Sequence, residues 1–268
     1  MAPRPDTPVH GVRDRALRVV GVDLASQPKK SSLCVIEWTD RPRVVELVRP
    51  VGDDVIVAQA ATADAIGIDC PFGWPSSFVE TVRRHHEGEP VTDVVSTPRD
   101  LRLRTTDQWI RTHHVPRDPL SVSTDRLGNV ALRGIRILER LAGPGADRSG
   151  AAGVYETYPG GSLATWGLPS TGYKDEAGTG TRRIIVAALA DHIDLAGTAE
   201  RLVAADDDLD AVITAVVAGL AHLGLTSSAP PEHREVARVE GWIHVPVVAL
   251  DALPAAAHRK PGDRRTGH

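Results

Sequence analysis

Three short apolar runs in this chain each carry an acid at their end: VGVD closes on Asp23, IGID on Asp69 and GVYE on Glu156. A short run rich in Val and Ile, bounded by turn residues, suits a strand buried on both faces. Strands of that kind belong to parallel sheets, whose carboxyl ends share one edge, and open α/β folds place their ligands there. The repetition predicts an α/β chain in which three carboxylates converge. Each acid also has a plainer explanation, a turn residue bonding to its own backbone, and only their joint occurrence at similar places argues for a site.

The remaining elements are read around these runs. Residues 17–25, 32–38 and 43–48 are three strands in succession, joined as antiparallel hairpins across turn-like segments such as Asp40, Arg41 and Pro42. Residues 65–69 form a fourth strand ended by Pro71 and Pro75, and 153–156 a fifth ended by Pro159. Helical spacing predicts helices over 53–61, 76–86, 105–113, 122–141, 182–192 and 207–223. Between 87 and 121 the chain is rich in Arg, Thr, His and Pro and carries the least pattern. One domain over 17–252 follows, with Pro-, Arg- and Gly-rich segments at 1–16 and 253–268 expected to be mobile.

A fourth acid enters from the segment DDDLDAVITAVVAGLAHLG. Asp206 and Asp210 are four apart and Asp207 and Asp210 three apart, so two carboxylates share a helix face, which continues through Ala211, Thr214, Ala215 and Ala218. Small residues there let the helix lie close to the sheet and bring an acid towards the strand ends. Asp206 and Asp208 read as residues that cap the helix and complement its dipole. Either Asp207 or Asp210 has the reach to join the cluster.

Crowded carboxylates repel one another and resist ionisation unless protons or cations neutralise them. The donor set is all oxygen, with no matching Cys or His group, which favours Mg2+ or Mn2+ over zinc. The two cysteines, Cys34 and Cys70, are expected to be free thiols in a reducing compartment.

VGVDLASQ, IGIDCPFGWP, RTTDQWIR, YETYPGG with the later GYKD, and DDLDAVITAVVAG, in this order, resemble the family catalogued as domain of unknown function 429. The resemblance runs from about residue 17 to 247. It implies an RNase H-like fold, with a five-stranded mixed sheet whose first three strands are antiparallel, flanked by helices, and with the first strand's acid at the centre of a metal site. Carried over by motif position, Asp23 is that central ligand, with Asp69, Glu156 and Asp210 around it. The implied activity is a metal-dependent nuclease: one ion activates water, a second stabilises the leaving oxygen, and Asp23 bridges them.

Arg104, Arg111 and Lys174 are candidates to hold substrate phosphate, Arg104 sharing a helix face with Asp107 and Lys174 lying in a glycine-containing loop. For Arg111 a solvated surface is the simpler reading. His113 and His114 are neighbours on a helix, point in different directions and read as surface histidines. PGG at 159–161, before a short helix, lacks the GxxxxGK[ST] pattern and reads as a turn, and GTGTRR at 178–183 is a similarly weak phosphate-loop candidate.

A net charge of −4 provides no global attraction for phosphate backbones, so a nucleic-acid substrate must be held by local basic groups or by metal. Residues 1–15, broken by Pro3, Pro5 and Pro8, offer no apolar stretch for a signal peptide, and no apolar run reaches the length of a membrane span, so a cytoplasmic location is expected. Two other functions fit the same pattern. One is an ATP-dependent phosphotransferase of related fold, although such proteins normally pair two domains and use glycine-rich nucleotide loops. The other is a non-catalytic module that binds metal or nucleic acid.

Overall fold

The computed structural model describes residues 16–94 and 96–253. Apart from Ala16 and Leu253, the segments expected to be mobile lie outside the described residues. In chain order the elements are β1 (Leu17–Asp23), β2 (Ser32–Trp38), β3 (Pro42–Val48), α1 (Asp53–Ala60), β4 (Ala65–Asp69), α2 (Ser76–Glu87), α3 (Pro98–Arg102), α4 (Thr105–His113) and α5 (Gly128–Ala142). They continue with β5 (Val154–Thr157), α6 (Pro159–Thr165), α7 (Thr179–Ala190), α8 (Ala199–Ala204), α9 (Asp206–His222), α10 (Arg234–Glu240) and β6 (Ile243–His244). Among these residues no helix is long and apolar enough to cross a membrane, and both cysteines are free and buried.

The strands form one mixed sheet in the order β3-β2-β1-β4-β5-β6. β1, β2 and β3 are antiparallel neighbours, as the hairpin spacing predicts, and β4, β5 and β6 continue parallel to β1. The sheet has six strands where five were expected. β6 is only two residues long, too short to carry any periodicity, and it exists because Glu156 and Thr157 of β5 pair with Ile243 and His244. The helix expected over 122–141 starts later, at Gly128, because the chain before it is tied into a turn in which Ser121 Oγ accepts from the backbone N–H groups of Ser123 and Thr124.

Alternation along the strands sorts the core into two layers. Val20 and Val22 of β1 and Ile66 and Ile68 of β4 meet Ile56 of α1 and Val130 and Ile137 of α5. Val19 and Ala65 face the other way, into a layer built by α7, α8 and α9. Helix α9 is buried along almost its whole length and packs against β1, β2 and β4. Its close approach depends on glycine: a Cβ at Gly21 would lie 2.2 Å from the Ala215 nitrogen and 2.3 Å from the Ala211 oxygen, and one at Gly67 2.9 Å from the Thr214 oxygen.

These contacts are with backbone, which cannot rotate away as a side chain can. Gly21→Ala is therefore expected to cost about 3 kcal/mol, the upper end of the usual range for overpacking. Gly180→Ala is the control, because that glycine lies in the first turn of a helix with open space where a Cβ would stand; it should not destabilise, and any gain should stay below about 1 kcal/mol. Equal denaturation midpoints for the two variants would show that the helix does not depend on Gly21.

Candidate metal centre

The residues that place Gly21 and Gly67 under α9 also place two acids. Asp23 stands two residues beyond Gly21 and Asp69 two beyond Gly67, so period-two alternation turns all four positions to the α9 face. Parallel pairing puts Asp23 directly opposite Asp69. From above, the first turns of α9 deliver Asp210, which is fully buried, whereas Asp23 and Asp69 remain partly open to the cleft. One carboxylate oxygen from each of the three lies within 4.8 Å of the others.

Glu156 does not join them. Its register partner in β4 is Ile68 rather than Asp69, and it shares strand parity with Val154, which faces the α1 and α5 layer. The residue on the α9 face at that height is Thr157, whose hydroxyl donates to Thr214 Oγ1 at 3.3 Å. A signal for this was present in the sequence. VGVD and IGID share a Gly-x-Asp spacing that lets the helix close over the acid, and GVYE lacks it.

Glu156 instead binds Arg104, and this changes the role expected for that arginine. Arg104 Nε and Nη2 donate to Asp107, Nη1 and Nη2 to Glu156 at 2.8 and 2.7 Å, and Nη1 also to the Glu240 carbonyl. That uses every donor a guanidinium has. With Arg104, Asp107 and Glu156 all buried, the arginine ties α4 to β5 and to the end of α10 and has no N–H left for a phosphate. Glu240 completes the arrangement by accepting from the backbone N–H groups of Ser76 and Thr105, both at 2.8 Å.

The other acids of α9 divide by direction. Asp208 was expected at the helix end as a simple cap, but it is buried and accepts from Ser32 Oγ at 2.6 Å and Arg201 Nε at 2.7 Å. Asp207 pairs with Arg49 at 3.1 Å, outside the cluster. Asp210 is the helix acid that meets the strand ends; it accepts from the Tyr173 hydroxyl at 3.1 Å and from the Lys174 ammonium. Tyr173 is a site residue the sequence reading did not single out; its only signal is its place in GYKD beside Lys174.

Asp23 and Asp69 line a cleft of about 570 Å³, and Asp210 lies buried behind them. Its lining is mixed: Leu24, Pro71, Leu127, Val130 and Tyr158 give an apolar part, and Arg117, Asp118 and Lys174 a charged part. Gly161 of the PGG motif lies beneath the Tyr158 ring, where a Cβ would stand 2.4 Å from it, so the motif supports the apolar part. Arg111 lies on the surface beside Asp118 at 3.5 Å, and His113 stacks on Trp109, in keeping with their readings as surface residues.

Crowding shows in the ionisation of the acids. Desolvation, then the charges of Asp210 and Asp69, holds Asp23 well above the ordinary carboxylate range. Asp69 is pushed up to about 7 by desolvation and then by Asp210, with Lys174 acting in the opposite direction. A carboxyl whose folded pKa exceeds its unfolded value of 3.8 contributes stability that is complete below that value and is lost as pH rises through about 7. Without metal, the melting temperature should therefore fall between pH 6.5 and about pH 8, and the rise produced by Mg2+ or Mn2+ should grow over the same window. Starting at 6.5 avoids His244, whose buried ring titrates at about 4 and costs stability only at lower pH. A metal-induced rise that does not change with pH would detach the metal from these acids.

Three hard oxygen donors converging from rigid elements fit a small divalent ion. Asp23, Asp69 and Asp210 are the residues that would hold it. A family model described as a protein of unknown function (DUF429) matches residues 21–235. No curated protein and no solved structure matches the chain.

Proposed function

This chain belongs to the DUF429 family, and from its site we propose that it is a divalent-metal-dependent hydrolase of phosphodiester bonds, with nucleic acid as the substrate class. The observation that carries the reading is the meeting of Asp23, Asp69 and Asp210 within 4.8 Å at the carboxyl edge of the parallel strands, beside an open cleft. Three antiparallel strands followed by parallel ones, with the first strand in the interior of the sheet, support an RNase H-like fold. Mg2+ or Mn2+ would supply Lewis-acid activation of water and neutralise charge at phosphorus.

The chain's residues supply the rest. Asp23 and Asp69 sit on paired strands and Asp210 on a helix packed against them, so the ion would be held on rigid elements. The attacking water forms the new P–O bond, the bond to the leaving oxygen breaks, and the water's proton passes to that oxygen. The apolar part of the lining, with Tyr158, offers a base a surface to lie against. The test is a cleavage panel of single-stranded, duplex, hybrid and branched substrates with Mg2+ or Mn2+, run beside an ATP arm. Metal-dependent cleavage lost in Asp23→Asn supports the reading. ATP turnover without cleavage would assign the site to phosphotransfer, and neither reaction would leave a binding module.

A further inference from the structure

The acid cluster is not bare. Lys174 reaches it from the segment between α6 and α7, with its ammonium on Asp210 and 4.0 Å from Asp206. A half-exposed lysine near acids would be unremarkable if its backbone were free to move, but here it is pinned on both sides. Arg182 of α7, itself buried, donates from Nη1 to the carbonyls of Tyr173 and Asp175, each at 2.6 Å. Its Nε is anchored to the Val203 carbonyl at 2.7 Å. Tyr173 is itself buried and donates to Asp210, so the residue before Lys174 is tied to the same carboxylate. The residue after it, Asp175, holds φ at 61°, a conformation that costs a non-glycine residue energy and persists only where its surroundings enforce it.

We propose that Lys174 is a resident cation of this centre, standing where a second metal ion would otherwise bind, so that Asp23, Asp69 and Asp210 hold a single divalent ion. The proposal rests on the metal reading above and replaces the pair of ions that the family resemblance implies. Charge and geometry both favour it. The three clustered carboxylates and the ammonium leave two negative charges, or three with Asp206 beside Lys174; one divalent ion balances most of this, and a second would leave an excess of positive charge in a partly desolvated site. The three oxygens within 4.8 Å surround one point, and the outer side of Asp210, towards Asp206, is the side Lys174 covers. Lys174 therefore acts first on the metal stoichiometry, as a fixed point charge on a carboxylate that also faces the ion.

Calorimetric titration of the full chain with Mn2+, paired with electron paramagnetic resonance of the bound ions, tests this without any substrate. The wild type should bind one ion with the signal of an isolated Mn2+. Lys174→Met, which keeps the length of the stem and removes the charge, should bind two, with the line broadening of a spin-coupled pair. Lys174→Arg should remain at one. Two ions in the wild type would overturn the proposal while leaving the metal reading intact, and so would a single ion in a folded Lys174→Met. No Mn2+ binding by the wild type would overturn both. The wild-type stoichiometry decides the matter even if the methionine variant does not fold.

Discussion

Asp23→Asn is expected to lower metal-dependent cleavage at least about 100-fold, because even partners one shell beyond a metal commonly cost about 10–100-fold when removed, and the proposed function makes Asp23 a direct ligand. The same substitution should abolish most of the rise in melting temperature that Mg2+ or Mn2+ gives the wild type, since an ion that no longer binds the native state cannot stabilise it. Stability without metal should not fall. Desolvation and the charges of Asp210 and Asp69 hold the Asp23 carboxyl above its ordinary range, so a neutral amide there relieves repulsion. Asp207→Asn is the matched control, on the same helix turn but paired with Arg49 outside the cluster, and should retain activity. A variant with wild-type cleavage and an unchanged metal response would remove Asp23 from the site. If Asp207→Asn were inactive and Asp210→Asn near wild type, the helix ligand would be the wrong carboxylate.

The largest loss of stability should come from Arg104→Met. Its guanidinium is the only cation bonded to Glu156 and Asp107 among the described hydrogen bonds, and all three groups are buried. Removing one partner of a buried pair strands the other charges, and the expected cost is about 3–5 kcal/mol in denaturant unfolding. Adding Asp107→Asn and Glu156→Gln to Arg104→Met should recover much of it, because the triple variant buries no uncompensated charge. This pattern separates the structural role from substrate binding. A phosphate ligand would raise KM in a protein of unchanged stability. A stable Arg104→Met with raised KM would restore the role expected from the sequence.

The two aspartates of the strand ends were legible in the sequence because alternation is a local rule and both acids close apolar runs of the same form. An apolar strand with Gly-x-Asp at its end commits the acid to the same face as the glycine, two residues earlier. The small face of the helix after DDDLD was legible for the same kind of reason: Ala211, Thr214, Ala215 and Ala218 recur at helical spacing, and close packing needs small residues. These patterns are written within a few residues of the groups they place. The antiparallel start of the sheet was equally readable from three strands joined by short turns.

What only the tertiary structure decided concerns partners distant in sequence. Glu156 carries the same chemistry as Asp69, and its diversion to Arg104 follows from the register of β5 against β4, which sets Glu156 beside Ile68 on the opposite face. A shift of one residue exchanges the two faces, and beyond the missing Gly-x-acid spacing nothing local in a four-residue strand states the register. The choice of Asp210 over Asp207 likewise depends on the rotation of α9 about its axis, fixed where Gly21 and Gly67 meet its backbone. The sixth strand is made by its neighbour rather than by its own two residues. Short-range patterning thus determined the strands, the close-packed helix and two of the three clustered acids. Register and helix rotation, which arise only when elements meet, selected the third acid and turned Glu156 and Arg104 into each other's partners.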